Sequence, residues 1–391
     1  MKILILGFGK TGRAVYDFLK KRDYDLAIYD ERTIEGLPVP YYSYARLKEE
    51  LPLFDLCVRS PGISRKSRGY LLAETLSEKM ISDIELALPY VKSKHIVAVS
   101  GTNGKTTTCR MIGALLRQKY RVHVLGNIGQ PLIEKAEEIL PDDIVVLEMS
   151  SYLLEKTISL HSEVVVLTSL SPNHLDGNHN VEGYYASKKR ILFHRPRLFL
   201  CDENAARILK VEGKEAKDTA FAGGFSKINA VNLARAAEVA RFYGLSEDEI
   251  RKGIGEIHLD PYRQEIVAKK GGMVFVNDSK STSSEATNCC LSACEGKRIL
   301  LILSGRFKGC RIDEIDLRLA ERVYAYGEIA ALLPECVRKR SSLREILEEI
   351  RSEPIEGGYV VFSPGGSSFD RYRSYEERGK EFNLLVDELW S

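Results

Sequence analysis

The sequence predicts an α/β fold built on mainly parallel sheets, and three observations carry that prediction. Apolar runs of strand length alternate with helical segments along nearly the whole chain. Two of these runs feed directly into glycine-rich loops that open helices. The length, 391 residues, exceeds one ordinary domain and fits two or three. Hydrophobic residues make up 44% and charged residues 29%, which supports a full core and excludes a disordered chain. Lys plus Arg is 57 against 55 for Asp plus Glu, a balance of +2. Nothing in that balance draws the chain to nucleic acid or an anionic membrane, so any anion site must be local. No apolar run approaches the ~20 residues of a membrane span. The opening Met1-Lys2-Ile3-Leu4-Ile5-Leu6-Gly7 reads as a strand rather than a signal peptide, so a cytoplasmic protein is expected.

Three blocks separate, at 1–92, 93–259 and 260–391. The first has expected strands at 2–6, 25–29 and 55–58 and helices near 11–21 and 70–78. The second opens with His95-Ile-Val-Ala-Val99 and continues with strands near 121–125, 143–148, 164–168 and 197–201. It closes with helices near 228–243 and 246–256. The third starts near Asp260-Pro261-Tyr262-Arg263 with a hairpin around Gly271-Gly272. Strands at 298–303, 323–326 and 359–363 follow, and a charged amphipathic helix, roughly 370–389, ends it. The junctions at Lys92-Ser93-Lys94 and Leu259-Asp260-Pro261 are short and polar or Pro-containing. The eight cysteines (57, 109, 201, 289, 290, 294, 310, 336) include no CxxC pair and read as reduced thiols.

Gly7-Phe8-Gly9-Lys10-Thr11-Gly12 follows a strand and precedes a helix, and Asp30 ends the next strand. Alone this spells a dinucleotide site, with the acid on a ribose. The physics is broader, because a tight turn and a helix N-terminus would suit any diphosphate. Ser60-Pro61-Gly62-Ile63 places a second tight turn at the same sheet edge. Ser100-Gly101-Thr102-Asn103-Gly104-Lys105-Thr106-Thr107 is a phosphate loop two residues shorter than the usual GxxxxGKT. Its backbone N–H groups would cradle ATP phosphates, Lys105 would meet the β/γ oxygens and Thr106 would reach Mg²⁺. A dehydrogenase needs only the first loop. An enzyme that consumes ATP and holds a second phosphorylated substrate needs both.

Glu148 ends the apolar strand Ile144-Val-Val-Leu147 and could hold Mg²⁺. His174 and Asp176 follow Val164-Val-Val-Leu-Thr168, again at a carboxyl end, and suggest a metal or substrate role. His161 and His179 have no such support and read as surface residues. The basic run Lys188-Lys189-Arg190 reads, from composition, as a solvated helix face.

Taken together, these motifs resemble the Mur ligase family, the ATP-dependent amide-forming enzymes of peptidoglycan precursor synthesis. The resemblance covers nearly the whole chain. It rests on 101–107, Leu147-Glu148-Met149-Ser150-Ser151, Asn173-His174-Leu175-Asp176, Ala186-Ser187-Lys188, Asn229-Ala230-Val231-Asn232, Tyr262-Arg263, Asn277-Asp278-Ser279-Lys280-Ser281-Thr282, and Ser363-Pro364 with Ser368-Phe369-Asp370. Within the family, the compact first block is most similar to the branch that joins D-glutamate to UDP-N-acetylmuramoyl-L-alanine. The resemblance implies a Rossmann-like UDP-sugar-binding domain, a central P-loop ATPase-type sheet and a C-terminal Rossmann-like amino-acid-binding domain, in a monomer.

It also implies roles. Lys10, Thr11, Asp30, Arg32 and Gly62 would hold the UDP part, and Asn127 the diphosphate or sugar. Gly101, Thr102, Asn103, Gly104, Lys105, Thr106 and Thr107 would bind ATP. Thr106 and Glu148 would hold one Mg²⁺ and His174 a second. Lys188 matches a lysine carbamylated in the family, a change that turns an ammonium into a carboxylate fit for a cation site. Lys105, Glu148, His174 and Lys188 form the implied catalytic set. Asn229 would face adenine, Asp278 ribose and Arg263 phosphate. Lys280, Thr282, Lys308, Ser368, Phe369 and Tyr375 would surround the amino acid. The loop Ser304-Gly305-Arg306-Phe307-Lys308-Gly309 departs from the family pattern, as does Tyr375, and both bear on the choice of amino acid. Another Mur ligase, a folylpolyglutamate synthase-like ligase and an NAD-dependent oxidoreductase stand as alternatives.

Overall fold

The computed structural model describes residues 1–34, 36–170, 181–216, 227–258, 261–294, 296–306 and 312–391. His174, Asp176, His179 and Lys308 lie outside the described residues. The chain forms two compact units, Met1–Phe221 with Val231–Ile257, and Ala222–Ala230 with His258–Ser391.

The first unit holds two five-stranded parallel sheets. The N-terminal one runs β1 (Lys2–Leu6), α1 (Lys10–Leu19), β2 (Asp25–Tyr29), β3 (Tyr41–Tyr42), α2 (Tyr44–Glu50), β4 (Phe54–Arg59), α3 (Arg68–Thr75), β5 (Ser77–Ser82), α4 (Asp83–Ala87). Its strand order is β3-β2-β1-β4-β5. The helix expected over 70–78 therefore ends at Thr75, and Ser77 starts a strand that pairs in parallel with β4. The central sheet runs β6 (His95–Ser100), α5 (Lys105–Leu116), β7 (Val122–Gly126), α6 (Leu132–Lys135), β8 (Ile144–Glu148), α7 (Ser151–Glu155), β9 (Val164–Leu167), α8 (Val181–Lys189), β10 (Leu198–Leu200), α9 (Glu203–Leu209), α10 (Lys227–Phe242), α11 (Glu247–Gly255). Its order is β10-β9-β6-β8-β7. The inner strands, such as β9 (Val-Val-Val-Leu), are apolar because both faces of a parallel sheet are covered.

One apolar core runs through both sheets, from Ile3, Ile5 and Ile84 to Ile96, Leu132 and Leu147. Packing is thus continuous across the polar junction 92–94. Ser93 is itself buried there, donating to the Asp143 carbonyl at 2.6 Å.

The second unit carries one six-stranded sheet. Its elements are β11 (Glu265–Lys270), β12 (Met273–Asn277), α12 (Ser284–Ala293), β13 (Ile299–Ser304), β14 (Arg322–Tyr326), β15 (Arg338–Lys339), α13 (Leu343–Ser352), β16 (Tyr359–Gly365) and α14 (Tyr375–Leu389), with strand order β11-β12-β16-β13-β14-β15. Only β11 is antiparallel, joined to β12 by the expected hairpin, where Gly271 and Gly272 both have positive φ (57° and 74°). Separate apolar cores cover the two faces. The last helix begins at Tyr375, capped by Ser374, five residues later than the sequence pattern suggests. Among the described residues, no helix is long and apolar enough to cross a membrane.

Candidate active site

Parallel sheets bring loops together at the carboxyl ends of their strands, and within each unit many of the described residues singled out from sequence lie there. In the N-terminal sheet, β1 ends at Gly7, whose φ of 90° turns the chain into α1. A Cβ on Gly12 would lie 1.9 Å from the Gly7 carbonyl oxygen, so only glycine lets helix and loop meet this closely. Asp30 closes the loop from the next strand by accepting from the Phe8 N–H at 2.7 Å. Arg32 holds the same carboxylate, Nε to Oδ1, at 3.0 Å. Burial pushes the Asp30 carboxyl up, but Arg32 and the backbone donors outweigh it and hold it below its ordinary value. Ser60 seats the second turn by donating to the Gly7 carbonyl at 2.8 Å, which sets Ile63 against the first loop.

The central sheet contributes the second loop. Gly101 (φ 140°) packs against Thr168, where a Cβ would lie 2.1 Å from the Thr168 hydroxyl. The N–H groups of Thr102 and Asn103 bond to Ser169. Lys105, the first residue of α5, folds its ammonium onto the carbonyls of Thr102 (2.8 Å) and Gly101 (3.1 Å). Thr106 donates to Glu148 Oε2 at 2.7 Å, and Asn127 Nδ2 donates to Glu148 Oε1 at 3.1 Å. Lys10 donates to the Gly129 carbonyl. The loop after β7 therefore touches both the acid of the central sheet and the helix of the first glycine loop.

Lys188 corrects the sequence expectation. It is not on a solvated face but only 1% exposed, with Nζ on Gly101 O (2.7 Å) and Ser100 Oγ (3.1 Å). Helix α8 turns this one residue of the basic run inward, while Lys189 reaches the Leu209 carbonyl. Burial, reinforced by repulsion from Lys105 and opposed by Glu148, pushes the Lys188 ammonium well below its ordinary value of 10.5.

Thr106 and Glu148 are hard oxygen donors facing each other, and they fit Mg²⁺, which binds through one or two carboxylates plus substrate phosphates. As an ammonium Lys188 does not fit a cation, and as a carbamate it would. Among the described residues no group of three His, Cys, Asp or Glu is placed to hold a metal. The remaining ligands would come from phosphates and water.

Sequence reasoning missed Asn232. It is 2% exposed and lies against the second loop, where a Cβ on Gly104 would be 3.1 Å from its amide nitrogen. That nitrogen has no hydrogen-bond partner among the described residues, a buried donor left open beside the loop. The signal was present, since Asn232 belongs to the motif from which only Asn229 was taken. Asn229 itself is buried.

The second unit gathers its own set at its sheet's carboxyl edge. Asp278 accepts from Ser281 (2.5 Å), Ser363 (2.8 Å) and the Gln264 N–H (3.1 Å). Burial pushes its carboxyl up, opposed by the two hydroxyls and by Arg263. Lys280 lies 5.6 Å from the centre of the Tyr375 ring. Thr282 and Phe369 are exposed and Ser368 is buried. Arg306, the departure from the family pattern, pairs with Glu328 at 2.7 Å. Sequence reasoning also missed Arg378. Fully buried, it donates to Ser279 O (2.8 Å), Ser279 Oγ (3.1 Å) and Gly366 O (3.0 Å), tying two of the loops together.

Known proteins share this architecture. The Mur ligase middle domain matches residues 99–250. A UDP-N-acetylmuramoylalanine–D-glutamate ligase from Acidobacterium capsulatum is 31% identical over 445 residues, covering 98% of this chain and 96% of that protein. The aligned length exceeds this chain's 391 residues, so the relative carries insertions that are missing here. The MurF ligase from Thermotoga maritima, solved in complex with ADP, superposes with a TM-score of 0.60 at 18% identity, covering 99% of this chain and 95% of its own. The bifunctional folylpolyglutamate synthase/dihydrofolate synthase from Yersinia pestis, complexed with AMPPNP and a Mn ion, gives 0.54 at 15% identity over 78% of this chain and 92% of its own. The chain belongs to the Mur ligase family.

Proposed function

We propose that this protein is an ATP-dependent ligase that joins D-glutamate to UDP-N-acetylmuramoyl-L-alanine in peptidoglycan precursor synthesis. Residues 1–92 would take the UDP-sugar, 93–259 ATP and 260–391 the amino acid. The observation that carries the reading is the convergence of Lys105, Thr106, Glu148 and Lys188 on one phosphate loop in a family of such ligases.

The substrate's carboxylate attacks the γ-phosphate of ATP, giving an acyl phosphate and ADP. The amine of D-glutamate then attacks the acyl carbon, and phosphate leaves. Two anions must meet in the first step, so the chain's part is to lower their repulsion. Lys105 would bring a cation to the β/γ oxygens, and the N–H groups at the start of α5 would cradle the phosphates. Bound Mg²⁺ would neutralise the charge that develops on the transferring phosphoryl group. Thr106 and Glu148 would hold it, with carbamylated Lys188 and His174 serving a second ion. The depressed basicity of Lys188 supports carbamylation, because the neutral amine is the form that takes up carbon dioxide. Asp30, Arg32, Lys10, Thr11, Gly62 and Asn127 would orient the UDP-sugar. Arg263, Asp278 and Asn229 would hold the nucleotide. Lys280, Thr282, Lys308, Ser368, Phe369 and Tyr375 would position the amino acid, with fixed geometry replacing much of the entropy of encounter.

The test is phosphate release from ATP and Mg²⁺ with UDP-N-acetylmuramoyl-L-alanine against a panel of D- and L-amino acids, with product masses recorded. Release with D-glutamate alone and the matching adduct mass is expected. Release with no amino acid would defeat the reading. Release with several would keep the ligase chemistry and locate the difference in the 304–309 loop.

A further inference from the structure

A buried cation outside the assigned site joins the two sheets of the first unit. Arg59 ends β4, immediately before the turn Ser60-Pro61-Gly62-Ile63, and is 2% exposed. A guanidinium this deep must have every donor satisfied by design. One edge of it donates to the Ile63 carbonyl through Nη2 (2.8 Å) and Nε (3.3 Å), closing the turn from behind. The other edge, through Nη1, reaches Glu155 Oε2 at 3.4 Å, at the end of α7 of the central sheet. Tyr70 and Tyr152 flank it, with ring centres at 5.0 and 5.5 Å. The Glu155 side chain is 7% exposed, and its Oε1 lies 3.4 Å from Ser187 Oγ, whose shorter bond is to the Gly183 carbonyl at 2.9 Å. Ser187 immediately precedes Lys188, whose Nζ bonds the Gly101 carbonyl of the phosphate loop. Polar contacts and one peptide link, between Ser187 and Lys188, thus lead from the 60–63 turn to the second glycine loop.

We propose that Arg59 is a positioning residue for the UDP-sugar: it sets the shape of the 60–63 turn and, through Glu155, ties that turn to the helix that carries Lys188. This rests on the ligase reading, in which Gly62 belongs to the UDP-sugar site. The role needs a planar fork, because one group must serve a carbonyl on one edge and a carboxylate on the other. A lysine ammonium can keep the charge beside Glu155 but cannot hold both directions at once.

The experiment compares wild type with Arg59→Met, Arg59→Lys and Glu155→Gln, measuring KM for each substrate, kcat and melting temperature. Arg59→Met is expected to raise KM for UDP-N-acetylmuramoyl-L-alanine about tenfold while KM for ATP stays within about twofold. Arg59→Lys should recover part of that loss. Glu155→Gln should raise the same KM about threefold and also lower kcat, since Ser187 loses its charged anchor. An unchanged sugar KM in Arg59→Met would overturn the proposal. So would an equal rise in both KM values alongside a lowered melting temperature, which marks general loosening. If wild type does not turn over the UDP-sugar at all, the ligase reading fails, and amide exchange in the ligand-free protein decides the positioning role. Exchange at residues 62–66 about tenfold faster in Arg59→Met, with β1 and β4 still protected, supports it. Unchanged exchange there overturns it.

Discussion

Two glycine loops in one unit share a strand–loop–helix plan and differ in what they leave unsettled. The first is closed on itself: Gly12 packs onto Gly7, and Asp30 is held by Phe8 and Arg32. Its charge is settled, and it offers a shaped backbone surface. The second gathers two lysines beside one another, one of them buried against its will to stay protonated. Sites that do chemistry carry such local conflicts, whereas loops that hold a ligand need not. The pattern GxGxxG therefore announces a turn, and GKT with a buried lysine behind it announces a reaction.

The contrast can be broken at either loop. The largest effect belongs to Lys105→Ala, which should lower kcat at least about a thousandfold. UDP-sugar binding, followed by calorimetry, should survive it because the first loop is intact. Lys188→Ala should lose about a hundredfold, with part of the rate restored by added formate or acetate. An absence of any restoration would remove the carbamate from the mechanism.

Gly12→Ala should act on stability instead. Its Cβ would collide with backbone, so a loss of about 2–4 kcal/mol in urea unfolding is expected. Gly9→Ala, which has nothing within 4 Å, is the matched control and should stay within about 0.5 kcal/mol.

The smallest effects lie in pH dependence. The folded Asp30 releases its proton more readily than the unfolded chain does. Its contribution is therefore present above the ordinary value of 3.8 and fades as pH falls through the lower folded value. The folded Lys188 also binds its proton more weakly than the unfolded chain. Stability should therefore rise with pH from its folded value up to about 10.5, a slope that Lys188→Met should flatten. Urea midpoints for wild type and Asp30→Asn at pH 3–5, and for wild type and Lys188→Met at pH 8–10, separate the two.

The reach of sequence reasoning follows the same division. Apolar strands leading into glycine loops were legible because local pattern and tertiary role agree, as at Ile3–Leu6 and Ile96–Val99. The strand Ser77–Ser82 was not, because Ser-Glu-Lys-Met-Ile-Ser has no alternation and pairs only by lying beside β4. Helix α12 went unassigned too, as did α13, although Leu343, Ile346, Leu347 and Ile350 form one buried stripe. In the site, Lys105, Thr106 and Glu148 could be read from position. The buried cations Lys188, Arg59 and Arg378 could not, since each is paired by at least one group far away in the chain.

The edges of the six-stranded sheet have a further consequence. One border strand, β15, is only Arg338 and Lys339, crossed by ion pairs from Arg338 and Arg340 to Glu349. The other, β11, ends in Lys269 and Lys270. Bare strand borders are where sheets of neighbouring molecules zip together, and short, lysine-bearing borders resist it. This domain is thereby guarded against growing into fibres when many copies crowd together, by charge along its rim.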